Sequence, residues 1–158
     1  MRPRYLDMDQ AVRIQFLQGN GSLTKTPVQN DVIPVVEVSV LMGGQEQAVK
    51  VSALALIDTG ADHCCIDIGL ANTLQLEPAG FSSFSGVGGT IENAPYFNVV
   101  YEIRTPSGAR LITATSVSAG LAETGRKYQL IFGMSFIQKG RLILDSKVDE
   151  YLFEFHSP

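Results

Sequence analysis

Four apolar residues, Leu54-Ala55-Leu56-Ile57, run without a break into Asp58-Thr59-Gly60. No other junction constrains the chain as tightly. A short apolar run bounded by a turn signal reads as a strand. A carboxylate at the end of such a strand is drawn out of water, which is costly unless donors compensate. Thr59 supplies a hydroxyl. Gly60 lets the backbone bend closely enough for its N–H to reach the carboxylate. Ala61 is small enough to pack against both. Two readings stay open on these residues alone. Asp and Gly are good turn residues, so the tripeptide can be an ordinary surface turn. Otherwise it is an acid held rigidly at the floor of a cleft.

The rest of the chain reads as mostly β. Short runs of Val, Ile, Thr, Phe and Tyr are broken by Gly, Pro, Asn and Ser. Strands are expected over 11–17, 32–42, 47–57, 95–104, 109–117, 128–132, 141–145 and 150–155. In the second, Val36, Val38 and Val40 alternate with Glu37 and Ser39, the pattern of a half-buried strand. Met42-Gly43-Gly44-Gln45 reads as a hairpin turn, and Ser146-Lys147-Val148-Asp149 as the turn of a terminal hairpin. Two short helices are expected. One spans 67–75, with Asp67 as N-cap and Pro78 preventing long continuation; the other spans 134–138. A chain of 158 residues can bury one core of ordinary size. Residues 1–30 read as an N-terminal extension, a strand plus a polar loop, ahead of one domain over 31–158.

Several function classes are disfavoured. Net charge is −4 and Lys and Arg are scattered, so no nucleic-acid partner is expected. No apolar run approaches the roughly 20 residues that span a bilayer, so no membrane partner is expected either. The N-terminus lacks the apolar stretch of a secretory signal. The two cysteines, Cys64 and Cys65, are adjacent and so are poorly placed to bond each other. Reduced thiols and a cytoplasmic location are the simpler expectation.

Asp62-His63-Cys64-Cys65 has the composition of a metal cluster. Neighbours along a strand face opposite ways, however, so no metal site is expected, and no cofactor. The same alternation disfavours a cysteine nucleophile paired with His63. Both cysteines read as small core residues. Gly86-Val87-Gly88-Gly89 lacks the Lys-Ser/Thr and the helix that a phosphate loop needs, so it reads as a mobile hairpin tip. Phe81, Phe84, Tyr96 and Phe97 flank that tip, and core packing is favoured for them over contact with a substrate.

Leu56-Ile57-Asp58-Thr59-Gly60-Ala61-Asp62 resembles the active-site segment of the retropepsin-like aspartic proteases. Three further stretches follow in that family's order. Gly86 to Gly89 resembles the flap tip, residues 130–140 the segment that opens the short C-terminal helix, and residues 141–155 the closing strands. The resemblance covers roughly 32–155, and the helix after the active-site strand matches cellular and bacterial members better than viral ones. It implies an all-β, closed acid-protease barrel with one or two short helices, one domain per chain.

The resemblance also implies an aspartic endopeptidase acting as a homodimer on a peptide or protein substrate. Asp58, Thr59 and Gly60 would be catalytic. Ala61, Asp62, Gly86, Val87, Gly88 and Gly89 would lie along the substrate. Asp-Thr-Gly occurs once, so the second acid would come from a twin chain. Viral members carry Gly-Arg-Asp/Asn where this chain has Gly133-Met134-Ser135, so the arginine that braces their active-site loop and supports their dimer is missing here. A catalytically silent relative that binds peptides or dimerises stays open beside the enzyme.

Overall fold

Alternation along two neighbouring strands decides where the core forms. The computed structural model describes residues 5–30, 32–42, 49–86 and 89–157. Strands β4 (Ile33–Leu41) and β5 (Lys50–Ile57) pair antiparallel, with Val35 opposite Leu56 and Leu41 opposite Lys50. Val36, Val38 and Val40 are buried on β4, as are Ala53, Ala55 and Ile57 on β5, while Glu37 is exposed. Gly43, Gly44 and Gln45, expected to turn between them, lie outside the described residues.

The strands that follow are β6 (Cys64–Asp67), β7 (Gly80–Gly86), β8 (Gly89–Thr105), β9 (Gly108–Ala119) and β10 (Leu130–Phe132). With β2 (Gln15–Leu17) and β3 (Leu23–Thr24) they form a nine-stranded sheet in the order β3-β2-β4-β5-β10-β6-β9-β8-β7. An additional pairing of β4 with β8 closes a ring through β4, β5, β10, β6, β9 and β8. Closure leaves those strands no free edge inside the ring. The terminal hairpin, β11 (Gly140–Asp145) and β12 (Glu150–Phe155), joins β1 (Ala11–Arg13) in a separate three-stranded sheet. The expected all-β, one-domain fold is the fold observed.

Two short helices interrupt the strands. α1 (Ile68–Thr73) begins at Asp67, whose Oδ2 accepts from the Leu70 N–H at 3.2 Å. α2 (Met134–Ile137) carries Phe136 into the core. There Phe136 stacks on Phe132 at 4.3 Å between ring centroids and lies 4.8 Å from Phe153. Phe132 in turn meets Tyr101 edge-on at 5.0 Å. This aromatic column ties the ring to the terminal sheet. The buried Tyr101 hydroxyl is satisfied by the Ser116 hydroxyl at 2.6 Å.

Some boundaries differ from the sequence expectation. The run 11–17 is two strands, because it serves both sheets; the buried Ile14 between them donates its N–H to the Tyr151 carbonyl at 2.9 Å. The polar stretch after it contains β3, which pairs with β2. β8 starts at Gly89 rather than at 95, because its first half pairs with β7 in the hairpin expected around Gly86 to Gly89; β7 itself is not among the expected strands.

Candidate active site

Asp58 stands where two parallel strands end. β10 pairs with β5 in parallel, with Leu130 opposite Ala55 and Phe132 opposite Ile57. The Asp58 N–H extends that ladder by one step, donating to the Phe132 carbonyl at 3.0 Å. The chain then turns sharply. The Gly60 N–H donates to Asp58 Oδ1 at 2.9 Å, and the Ala61 N–H to the Asp58 carbonyl at 3.3 Å. Asp58 is half-buried, while Thr59 and Gly60 are exposed. Among the described residues, the Thr59 hydroxyl has no hydrogen-bond partner within the chain.

The segment opening α2 straps this loop from behind. The Met134 N–H donates to the Ala61 carbonyl at 2.7 Å, and the Ser135 N–H to the Asp62 carbonyl at 3.0 Å. Gly133 makes the approach possible, since a Cβ there would collide with the Ala61 and His63 carbonyls. The brace is thus made by the backbone. The Met134 side chain is 41% exposed and takes no part in it. Behind the strap, the Cys64 thiol lies 3.6 Å from the Ser135 hydroxyl.

In front of the loop lies a cleft of about 700 Å³. Asp58, Gly60, Ala61 and Asp62 line one part of it. The hairpin of β7 and β8 supplies Ser83, Phe84, Ser85 and Gly86. Val117, at the end of β9, and Ile131, on β10, add apolar surface, and Arg126 comes from the loop between those strands. At the far end of the hairpin Gly86 pairs with Gly89, whose φ of +114° lies in the range that favours glycine. Val87 and Gly88, expected at the tip, lie outside the described residues.

Sequence reasoning passed over several residues of this cleft. Cys65 was expected in the core with Cys64. Only Cys64 is there; strand alternation turns Cys65 toward Asp58. Burial, then the charges of Cys64 and Asp58, push its thiol up to about 11, so it stays protonated at neutral pH. Phe84 was expected to pack in the core but lines the cleft, meeting the His63 ring edge-on at 6.2 Å. Its position two residues before Gly86, on the same strand face, is the signal that could have found it. Phe97 is buried, as expected, whereas Phe81 is exposed. His63 and Arg126 carry no local sequence signal of a cleft position. Among the described residues, no group of three or more His, Cys, Asp or Glu could hold a metal ion.

The profile of a family described as aspartyl protease matches residues 36–136. The chain belongs to the aspartyl protease family. The match contains the Asp58 loop, the hairpin and the opening of α2. Among solved structures, a retropepsin-like aspartic protease from Rickettsia conorii is similar at a TM-score of 0.54 and 13% identity, covering 92% of this chain and 90% of that one. EIAV protease in complex with an inhibitor is similar at 0.49 and 20% identity, covering 75% and 99%. Simian foamy virus protease is similar at 0.43 and 12% identity, covering 66% and 91%. No curated protein matches the chain in sequence. The retropepsin-like fold and a protease-type function follow for this member of the family. Among the described residues, no helix is long and apolar enough to cross a membrane.

Proposed function

We propose that the protein is an aspartic endopeptidase, assembled as a homodimer in which Asp58 of each chain faces Asp58 of the other. The observation that carries this reading is the setting of Asp58. It follows β5 where that strand pairs in parallel with β10, its Oδ1 is held by the Gly60 N–H at 2.9 Å, and it lines a cleft of about 700 Å³. The chain has one Asp-Thr-Gly, so a two-fold axis is the economical source of a second acid in the same cage. The exposed Thr59 hydroxyl would find its partner across that axis.

Two carboxyls brought into contact share one proton, because both cannot carry charge at that distance. The ionised member takes a proton from a bound water as the water oxygen attacks the scissile carbonyl carbon. The protonated member gives its proton to the carbonyl oxygen as negative charge develops there. The resulting gem-diol collapses when its C–N bond breaks: the amine nitrogen leaves with the proton of the protonated member, and one hydroxyl of the diol gives its proton to the ionised member, leaving a carboxylic acid. The proton count is restored, and the pair titrates as a unit throughout. Ala61 and Asp62 lie beside Asp58, and the hairpin that ends at the Gly86–Gly89 pair would close over the extended substrate. The protease unit would be 31–158, with residues 1–30 an extension whose short strands β1, β2 and β3 join both sheets.

An Asp58→Asn variant tests the reading. It should keep its fold and lose peptide cleavage by at least about 100-fold. Cleavage that survives unchanged removes Asp58 from the mechanism. A wild-type chain that binds peptides and cuts none is a binding module built on a protease fold.

A further inference from the structure

The loop between β9 and β10 brings a cation to the cleft and fixes it there. Its start is tied down by Asp67, a residue 5% exposed, whose Oδ1 accepts from the Leu121 and Ala122 N–H groups at 3.0 Å each. Its turn is closed by the Gly125 N–H on the Ala122 carbonyl at 3.0 Å and the Arg126 N–H on the Leu121 carbonyl at 3.1 Å. Its end is held by the Gln129 N–H on the Leu54 carbonyl at 3.1 Å. Arg126 therefore leaves a backbone fastened on both sides.

The guanidinium is oriented without being neutralised. Its Nε donates to the Tyr128 hydroxyl at 3.0 Å, and one Nη donates to the Thr124 hydroxyl. Both partners are uncharged. Among the described residues, Arg126 takes part in no salt bridge. Arginine has five N–H donors in a planar fork suited to a carboxylate, and most of them are left unused here. The acids that line the same cleft, Asp58 and Asp62, would repel an acidic group brought beside them. Among the described residues lining the cleft, Arg126 is the one Lys or Arg, with His63 the other basic side chain.

We infer that Arg126 makes the cleft selective for peptides with an acidic side chain at one position near the bond to be cut. The inference rests on the peptide-cleaving reading above. A merely structural Arg126 would brace its turn through Thr124 and Tyr128 and leave sequence preference untouched.

The test separates these roles. Fluorescent extended peptides, identical except for Glu, Gln or Lys scanned through each position, are titrated against the full-length Asp58→Asn protein. At low salt, Glu at one position should bind about fivefold tighter than Gln, the most an exposed ion pair usually supplies. The ratio should shrink toward one near 1 M salt, where screening acts within about 3 Å. Adding Arg126→Gln should abolish the preference, bringing the Glu and Gln peptides to equal affinity. Arg126→Lys should retain part of it, and Arg126→Glu should favour Lys. If Arg126→Gln folds poorly, the Lys variant and the salt series carry the test. Absence of a Glu preference at every position, its survival in Arg126→Gln, or no peptide binding at all overturns the inference. Cleavage by the protein with Asp58 intact is scored separately. Peptides bound with Glu preference but left uncut defeat the catalytic reading, whereas cleavage blind to Glu defeats the role of Arg126.

Discussion

The Asp58 loop and the hairpin above it face the same cleft, yet they are built in opposite ways. The loop grows from β5 and β10, whose inward side chains Ala55, Leu130 and Phe132 are fully buried. Phe132, Met134 and Ser135 each fasten it by a backbone hydrogen bond. The hairpin strand β7 lies at the edge of its sheet, pairs with β8 alone, and has an irregularity between Ser82 and Phe84. Most of its residues are exposed. An acid that must meet a reacting atom needs placement within a fraction of an ångström, so it belongs on fixed elements. A strand with few buried contacts opens at low cost. The contrast assigns precision to one side of the cleft and movement to the other.

The largest effect should come from loosening the fixed side. Phe136 stacks between Phe132 and Phe153, and Phe136→Ala should cost about 3–5 kcal/mol. That is a large part of a typical stability of about 5–15 kcal/mol. Urea unfolding measures it, and a loss below about 1 kcal/mol would mean that α2 does not clamp the loop. Gly133→Ala should cost less, about 1–3 kcal/mol, by forcing the Ala61 and His63 carbonyls away. Because those carbonyls belong to the Asp58 loop, kcat/KM corrected for the folded fraction should fall as well. Unchanged kcat/KM in the folded protein would show that the strap does not position the acid.

The two regions also differ in how far sequence discloses them. Asp58, Gly60 and the apolar strand before them are adjacent in sequence, so their chemistry is legible in seven letters. The alternation of Val36, Val38 and Val40 likewise fixes a buried face locally. The strand Gly80–Gly86 reads Gly-Phe-Ser-Ser-Phe-Ser-Gly, with no β-branched residue to mark it. It is a strand because β8 pairs with it. The parallel pairings β5–β10 and β6–β9 join segments more than 50 residues apart, and no local pattern announces them. Arg126 and His63 become cleft residues only once those pairings form. What the sequence withholds is the part of the site that depends on long-range register.

Between the fixed loop and the hairpin sits Cys65, and its burial makes a pH prediction. Its thiol is raised from 9.0 to about 11 in the folded chain, chiefly by desolvation. Between those values the folded chain holds a proton that the unfolded chain has lost. The stability this contributes is fully present below pH 9 and is lost as pH rises toward 11. Cys64 is raised in the same direction, again chiefly by burial. Denaturation midpoints should therefore fall through this window, and Cys65→Ser should flatten the fall. A fall of equal steepness in that variant would assign the effect to other groups. Iodoacetamide at pH 8 should also modify Cys65 more slowly than an unfolded cysteine, because the thiolate is the reactive form.

The smallest stability effect is expected on the hairpin, and it is the one that decides the comparison. Phe84 is half-buried, on an edge strand that pairs with β8 alone, and its ring meets the exposed His63 edge-on at 6.2 Å. Few contacts vanish when its ring is removed, so Phe84→Ala should cost no more than about 1 kcal/mol in urea unfolding. Peptide affinity should fall by a larger factor than stability, since the ring supplies much of the hairpin's apolar surface in the cleft. If instead Phe84→Ala destabilises the fold as much as Phe136→Ala does, the hairpin is held by the core. The cleft would then have two fixed sides, and substrate would have to enter by a route other than lifting the hairpin.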